Sequence, residues 1–191
     1  MILLNSICDV FNGYSFRDKL TVNELDGIGI IQLKDTDTKT VVVNYNDWTT
    51  TDTFFGPDKY FLSQNDILLV AKGANNVAFR YEADKCKFNK AIVSGAFIVI
   101  RPKSDDLHPA YLHWYMNLPE TQAYLRNQQV KTTVQNLSVK VLQEFEIKVP
   151  SLQKQRDIGD GYSLILQLVS TSRQREDKLL LLLNQQIKEI L

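Results

Sequence analysis

The chain has 191 residues, 44% of them hydrophobic and 23% charged, as is ordinary for a globular protein. Its 22 Lys and Arg residues balance its 22 Asp and Glu residues, which excludes a histone-like polycation and a polybasic membrane-surface protein but leaves room for a local basic face. The two cysteines lie far apart and no apolar run approaches the ~20 residues of a membrane helix, so we expect a soluble, cytoplasmic protein without a disulfide scaffold or membrane segment.

The first part of the chain carries short apolar runs that are bounded by glycine, asparagine or aspartate. Such runs predict β-strands, at 29–33, 40–43, 67–71 and 96–100. Residues 76–81 alternate between apolar and polar side chains and follow Lys72-Gly73-Ala74-Asn75. We therefore expect a hairpin between the strand at 67–71 and this segment.

Helices and a last strand follow. Pro109 and Pro119 each suit the first turn of a helix and predict helices that extend through Met116 and Tyr124. Residues 144–149 alternate between charged and apolar side chains, so we predict a strand with one buried and one solvent-exposed face. The whole pattern indicates an α+β domain of mixed strands and short helices.

The α+β domain covers residues 1–150, and residues 151–191 form a region without proline that predicts one long helix. About 40 residues at ~1.5 Å each span roughly 60 Å, more than the width of the preceding domain. Apolar side chains recur at a 4-3 spacing on both sides of a polar centre from Ser170 to Asp177, so we predict a coiled-coil helix that needs a partner helix. The alternative is a helix kinked near Gly159-Asp160-Gly161 or at Ser170-Thr171-Ser172 that folds back on its own domain. The residues assigned to dimerisation are Ile158, Tyr162, Ile165, Val169, Leu179, Leu183 and Ile190.

Motifs for catalysis or metal binding are missing from the sequence. Gly27-Ile28-Gly29 lacks the third glycine of a dinucleotide-binding fingerprint, and no GxxxxGK[ST] phosphate loop occurs. His108 and His113 lack a third ligand, and Glu146-Ile147-Lys148 is explained by the solvent face of a strand rather than by a nuclease site. We therefore expect no catalytic residue, no bound metal and no cofactor.

Acidic residues are absent from two segments that are rich in amide side chains. One segment runs from Ile67 to Tyr81, and the other lies between Glu120 and Glu144. Asparagine and glutamine can pair with base edges, while lysine and arginine bind phosphate or guanine. The two segments therefore suit a surface that reads a nucleic-acid sequence, with ordinary solvated loops as the alternative.

Four segments, in order along the chain, resemble those of a known family. They are residues 7–16, 29–35 and 62–73, and a junction in which residues 132–138, ending Asn136-Leu137-Ser138, are followed by residues 145–155, ending Val149-Pro150-Ser151-Leu152-Gln153-Lys154-Gln155. With these segments the chain resembles, over essentially its whole length, the DNA-specificity (S) subunit of type I restriction-modification systems. The resemblance implies an α+β target-recognition domain followed by a conserved helix, a unit that a full-length subunit carries twice. Because this chain has one such unit, it resembles a half-length form.

The same resemblance implies a non-catalytic subunit of a larger complex. It would recognise double-stranded DNA and position a separate adenine methyltransferase (modification) subunit, and through it a restriction subunit, on a specific site. Two copies joined by an antiparallel coiled coil would read an interrupted palindrome, because the symmetry of a dimer mirrors that of its site. The expected DNA-binding residues are Lys72, Asn75, Asn76, Arg80, Arg126, Gln128, Lys131, Thr132, Thr133, Gln135 and Asn136.

Some polar and aromatic side chains near the expected DNA-binding residues could stabilise the fold instead of contacting DNA. Asn136 and Ser138 can cap the short helix that follows them instead of contacting DNA. Tyr14, Phe16 and Trp48 are aromatic residues that could stack on bases, but we expect them in the core.

Two other functions remain alternatives. The first is a coiled-coil protein-interaction module whose globular domain binds protein rather than DNA. The second is an enzyme with a pocket lined by Asp35, Asp37 and His113.

Overall fold

The structure, a computed structural model, describes residues 1–16, 27–46, 48–52, 54–73, 75–129 and 136–190. Its strands are β1 (Ile2–Leu3), β2 (Cys8–Asn12), β3 (Ile28–Ile31), β4 (Thr36–Asp37), β5 (Val42–Val43), β6 (Thr49–Thr51), β7 (Ile67–Val70), β8 (Ala78–Arg80), β9 (Ala91–Val93), β10 (Phe97–Pro102) and β11 (Glu146–Ile147). Its α-helices are α1 (Leu4–Ile7), α2 (Pro109–Met116), α3 (Pro119–Gln129), α4 (Val139–Gln143) and α5 (Leu152–Ile190). The predicted α+β class is confirmed.

The central sheet has four antiparallel strands in the order β2-β10-β7-β8. Strands β7 and β8 form the predicted hairpin, in which Leu68 pairs with Phe79. A second sheet, in the order β6-β3-β9, combines an antiparallel pair, β3 with β6, and a parallel pair, β3 with β9. Two short ladders, β1 with β11 and β4 with β5, complete the described strands.

Both faces of the central sheet are buried. Ile67 and Leu69 of β7 belong to a core that includes side chains of α2, while Leu68 and Val70 belong to a second core that includes β3 and β9. A strand covered on both sides cannot show a polar face, which is why the middle strands are continuous apolar runs in the sequence. The result is three layers: helices, the central sheet and the second sheet.

Several predicted elements differ in length from those observed. The strand expected at 40–43 covers only Val42–Val43, because Thr38 to Val41 form a turn in which Val41 has a φ of 56°. Helix α3 continues to Gln129, since no proline or glycine interrupts it after Tyr124.

The strand expected at 144–149 is also shorter than predicted. It pairs with β1 only at Glu146–Ile147. The predicted alternation is nevertheless confirmed, because Phe145 and Ile147 are buried whereas Glu144 and Lys148 are exposed.

Helix α5 is continuous through Gly159-Asp160-Gly161, and its first turns pack on α2. Gln155 is buried and links three chain segments: its Nε2 donates to the carbonyls of Asp106 (3.0 Å) and Pro150 (2.9 Å), and its Oε1 accepts from the His108 N–H (2.8 Å). One turn later Gly159 lies so close to α2 that a Cβ atom there would be 2.9 Å from the Ala110 Cβ. These contacts fix the start of α5 on the globular part.

Two residues of the predicted dimerisation stripe belong to this attachment instead. Ile158 packs against the helix-side core, and the Tyr162 ring lies 5.3 Å from the His113 ring in an edge-on contact. We therefore reassign Ile158 and Tyr162 from dimerisation to the attachment of α5, because the chain's own α2 already covers them.

Beyond these turns the apolar side chains of α5 are uncovered. Ile165 and Val169 are 57% and 43% exposed, and the five leucines from Leu179 to Leu183 are between 48% and 67% exposed. For Ile190 the structure describes only the helical backbone. No helix in the described part of the chain is both long and apolar enough to cross a membrane.

His113 lies under α5 in the helix-side core. It is buried, and its Nε2 is 2.9 Å from the Ala78 carbonyl, to which the neutral imidazole donates. Burial lowers the pKa of His113 from its ordinary 6.5 to about 4.

The space around Gly159 predicts opposite effects for two glycine substitutions in one helix. Gly159→Ala places a Cβ 2.7 Å from the Tyr111 backbone nitrogen, so we expect a loss of about 1–3 kcal/mol in the free energy of unfolding. The matched control Gly161→Ala meets nothing within 4 Å and gains about 0.5–1 kcal/mol from helix propensity. Urea unfolding of both variants measures the difference; equal stabilisation by both would contradict the close packing of α5 on α2.

The low pKa of His113 predicts a specific loss of stability in acid. A histidine kept neutral in the fold binds its proton more readily when unfolded, so its contribution is complete above pH 6.5 and is lost as the pH falls towards 4. Between pH 7.5 and 4.5 the wild type should lose on the order of 2 kcal/mol more than His113→Gln, whose amide does not titrate. Urea unfolding at the two pH values tests this, and an identical pH dependence in both proteins would argue against it.

Candidate nucleic-acid interface

The two amide-rich segments that lack acidic residues meet at one end of the central sheet. Lys72, just after β7, pairs with Asn136 in an isolated antiparallel bridge, and the Leu137 N–H donates to the Ala71 carbonyl at 2.9 Å. The sequence separates these partners by more than sixty residues, but the fold makes them neighbours. We call this end of the sheet the loop edge and define it by residues 71–73, 75–76, 126–129 and 136–138.

Side-chain amides of α3 hold the loop edge in place. Gln129 is buried and its Nε2 lies 3.3 Å from the carbonyl oxygens of both Ala71 and Gly73. Gln122, two turns earlier, donates from Nε2 to the Asn76 carbonyl at 2.7 Å. Gly73 has a φ of +103°, a conformation that favours glycine and lets the chain turn back towards β8. These hydrogen bonds tie the backbone at Ala71, Gly73 and Asn76 to α3.

The loop edge has a favourable charge for an anionic ligand. None of its residues is acidic, and Lys72 and Arg126 are exposed. Acidic side chains lie at the opposite end of the sheet, where Asp66 pairs with Arg101 at 2.6 Å. A nearly neutral chain thus presents one face that is locally positive.

The structure places the predicted DNA-binding residues in three groups. Lys72, Asn75 and Arg126 are exposed at the loop edge, and Gln128 and Asn136 are half-buried there. The second group lies outside the described residues: Lys131, Thr132, Thr133 and Gln135. Asn76 and Arg80 form the third group, whose surroundings do not suit contact with DNA.

Asn76 and Arg80 serve other interactions. Asn76 is 0% exposed and its Nδ2 donates to the Val70 carbonyl at 2.8 Å, so the side chain stabilises the turn instead of facing a ligand. Arg80 is at the far end of the hairpin, where its backbone pairs with Ile67 and its guanidinium with Glu82 at 3.2 Å. We therefore withdraw both residues from the DNA-binding set.

The structure also supports a structural role for Ser138 and for the aromatic residues that could have stacked on bases. Ser138 caps α4, because its hydroxyl accepts from the Val141 N–H at 3.4 Å. Trp48 is buried, and Tyr14 and Phe16 are half-buried with their ring centroids 4.9 Å apart. The expectation that these three aromatic residues belong to the core is met in full by Trp48.

Gln122 and Gln129 are residues that the sequence interpretation did not select. Their spacing of seven, with Leu125 between them, places all three on one face of α3. Leu125 is fully buried, so the same face carries two amides towards the turn after β7. The sequence signal that could have identified them is a pair of amide residues that flank a core leucine at helical spacing.

The enzyme alternative required Asp35, Asp37 and His113 to share a pocket. Asp35 is buried and accepts from the Gln32 N–H (2.9 Å), while Asp37 accepts from the Lys39 N–H (2.8 Å), so each carboxylate is engaged within its own turn. The cavity that His113 lines with α5 and β5 includes neither aspartate among its described residues. Within the described part of the chain, no three His, Cys, Asp or Glu side chains are grouped as a metal site requires.

Solved structures share this fold. The chain superimposes on the HsdS subunit from Thermoanaerobacter tengcongensis with a TM-score of 0.58 and 20% identity, covering 91% of this chain and 39% of that one. A chain from a study of the assembly and conformational transition of the type I R-M system gives a TM-score of 0.61 and 19% identity, with coverages of 93% and 40%.

The sequence has the same relatives. It is 21% identical over 181 residues to the specificity subunit of the type I restriction enzyme EcoBI of Escherichia coli, covering 93% of this chain and 34% of that subunit. The chain thus spans about a third of the length of this curated relative. Residues 2–181 match the family described as the type I restriction modification DNA specificity domain, and the chain belongs to that family.

Proposed function

We propose that this chain is a DNA-reading unit of a type I restriction-modification system. Residues 1–150 are the target-recognition domain, and residues 151–191 are the spacer and dimerisation helix. The observation that carries the proposal is the loop edge, where two segments rich in amides and free of acids form one surface with Lys72 and Arg126 exposed. Membership of the specificity-domain family supports DNA as the ligand of that surface.

The accessible side chains of the loop edge have two different roles in DNA binding. Lys72 and Arg126 bind phosphate oxygens, which orients the domain on the duplex without reading the sequence. Asn75, Gln128 and Asn136 offer both a donor and an acceptor, so they read base edges in the major groove. Because Gln129 already holds the turn after β7, these side chains approach DNA on an ordered backbone.

Chemistry comes from other subunits in this proposal. The described part of the chain shows no grouped metal ligands, and its buried histidine is engaged by a backbone carbonyl. Membership of the DNA-specificity-domain family supports a chain that positions an adenine methyltransferase (modification) subunit, and through it a restriction subunit. Leu180 and Leu181 are 53% and 58% exposed and support α5 as the surface on which the modification subunit docks.

A two-fold homodimer joined through α5 accounts for the remaining apolar surface. Ile165, Leu168 and Leu179 are more than half exposed in the single chain, and a helix with such side chains needs a partner. Two identical domains related by a two-fold axis read two identical half-sites, so the site is an interrupted palindrome.

Phosphate binding by Lys72 predicts a change in salt dependence. In the complex with its modification subunits, Lys72→Ala should weaken DNA binding for all sequences and lower the slope of log K against log salt by about 1. Lys103→Ala is the matched control, because Lys103 lies beyond β10 at the other end of the sheet beside Asp9. DNA titrations at several salt concentrations provide the measurement; equal slopes for Lys72→Ala and wild type would remove Lys72 from the interface.

Base reading predicts a change in the methylated sequence. When the chain is expressed with its modification subunit, genome-wide adenine methylation should map to one interrupted palindrome. Asn136→Ala or Gln128→Ala should relax that motif at one position in each half-site, by the roughly 5- to 150-fold that 1–3 kcal/mol of discrimination represents. Methylation that does not depend on this chain would contradict the function, and an unchanged motif in both variants would contradict the assignment of these two readers.

A further inference from the structure

Phe55 is the most exposed of the large apolar side chains in the described part of the chain. It is 92% exposed, and Met1 follows with 70%. Phe55 lies between β6 and β7 in the sequence and belongs to neither hydrophobic core. Burial of a phenyl ring is normally favourable, so a ring held almost entirely in solvent suits a ligand or partner outside the chain.

The turn that carries Phe55 is packed in place on both sides of it. We call residues 54–57 the aromatic turn. The Phe54 ring centroid lies 4.8 Å from that of Tyr14 and 5.0 Å from that of Phe61. Gly56 also lies close to these rings, since a Cβ atom there would be 2.8 Å from the Tyr14 Cε2. The backbone that presents Phe55 to solvent is therefore held by packing.

The aromatic turn lies beside the loop edge. Two adjacent residues at the start of β10 are bonded to both: the Ala96 carbonyl accepts from the Ala71 N–H at 2.8 Å, and the Phe97 carbonyl accepts from the Gly13 N–H at 2.9 Å. Tyr14, the next residue, packs on the aromatic turn. Because β10 lies between β7 and β2, two strand spacings and one ring contact place the aromatic turn on the order of 15 Å from the turn after β7.

We infer that the Phe55 ring is an apolar wedge that packs against a base step of the DNA bound at the loop edge. The inference rests on the proposed function and adds a contact residue to it. On one face of B-DNA a major groove and the next minor groove are about half a helical turn apart, roughly 17 Å. While the amides of the loop edge read the major groove, Phe55 therefore meets the adjacent minor groove, where apolar wedges insert between base steps.

The surroundings of Phe55 favour DNA over a protein as its partner. Protein interfaces are built from contiguous apolar patches, whereas a wedge is a single side chain. Within residues 54–60 Phe55 is the one large apolar side chain that is exposed, because Phe54 and Tyr60 are half-buried.

The charges near the aromatic turn do not oppose the approach of DNA. The exposed Lys59 and Lys90 balance the exposed Asp52 and Asp58. A phenyl ring forms no hydrogen bond with a base edge, so Phe55 contributes stacking and reads the deformability of the duplex. Pyrimidine–purine steps unstack most easily, and a wedge at this position favours such a step.

Substitution of Phe55 tests the wedge in the complex with the modification subunits. Phe55→Ala should weaken binding to the methylated sequence by roughly 5- to 150-fold, the loss that one stacked base represents. The slope of log K against log salt should stay that of the wild type, because a phenyl ring releases no counterions. Phe55→Trp keeps an aromatic face and should restore most of the affinity. DNA titrations at several salt concentrations measure both quantities.

Photo-cross-linking identifies what the residue at position 55 touches. With p-benzoylphenylalanine in place of Phe55, irradiation of the complex should link the chain to DNA. The matched control carries the same group in place of Ser104, which is exposed beyond β10 at the other end of the sheet. The control should give no link to DNA.

The outcomes separate failure of the wedge from failure of the proposed function. If Phe55→Ala binds DNA like the wild type while Lys72→Ala binds more weakly, the wedge is wrong and the loop edge stands. A link from position 55 to the modification subunit instead of DNA would assign the ring to a protein contact and overturn the wedge. A lower free energy of unfolding for Phe55→Ala would show that the ring packs within its own chain, with the same consequence. A wild-type complex that does not bind DNA would overturn the proposed function itself.

Discussion

The attachment of α5 to the globular part is the contact on which the proposed geometry depends. One buried amide, Gln155, contributes hydrogen bonds that join the segment before α2, Pro150 between β11 and α5, and the helix itself. A buried amide with its partners satisfied is directional in a way that apolar packing is not, because losing any one bond leaves a polar atom uncompensated. Gly159 adds a steric condition by bringing the helix backbone against α2. Together, Gln155 and Gly159 fix the angle at which α5 leaves the globular part.

Amide side chains have two distinct roles in this fold. Some of them, such as Gln122 and Gln129, bind backbone carbonyls and so build the loop edge, while Asn75 points to solvent. Composition cannot separate the two roles, since an amide-rich segment has the same count whether its side chains face inward or outward. The distinction comes from burial, and burial depends on the pairing of segments that are far apart in the sequence.

A secondary-structure element could be predicted where the residues that determine it lie within a few positions of one another. The strands with continuous apolar runs and the helix that opens at Pro109 were predicted, because hydrophobic pattern and proline geometry act within a few residues. The long helix was predicted for the same reason. The face that α5 turns to its own domain was not, since the 4-3 pattern of Ile158 and Tyr162 is the same whether a helix packs on α2 or on a second chain.

The sequence predicted the chemical character of the candidate site but only some of its residues. Two acid-free segments were recognised, yet the sequence could not show that Asn76 is buried or that Arg80 lies at the far end of the hairpin. Both facts are set by the register of β7 and β8, which the turn at Gly73 fixes. A shift of one residue in that register would have exchanged inward and outward side chains.

The anchors of the loop edge, Gln122 and Gln129, bind carbonyl oxygens of the main chain at Ala71, Gly73 and Asn76. Every amino acid carries such a carbonyl, so these anchoring hydrogen bonds do not depend on which side chain occupies position 72, 75 or 136. Substitutions that keep the backbone conformation at these positions leave the anchoring hydrogen bonds in place. In such an arrangement the side chains that would read DNA can change while the hydrogen bonds that hold the loop edge stay the same.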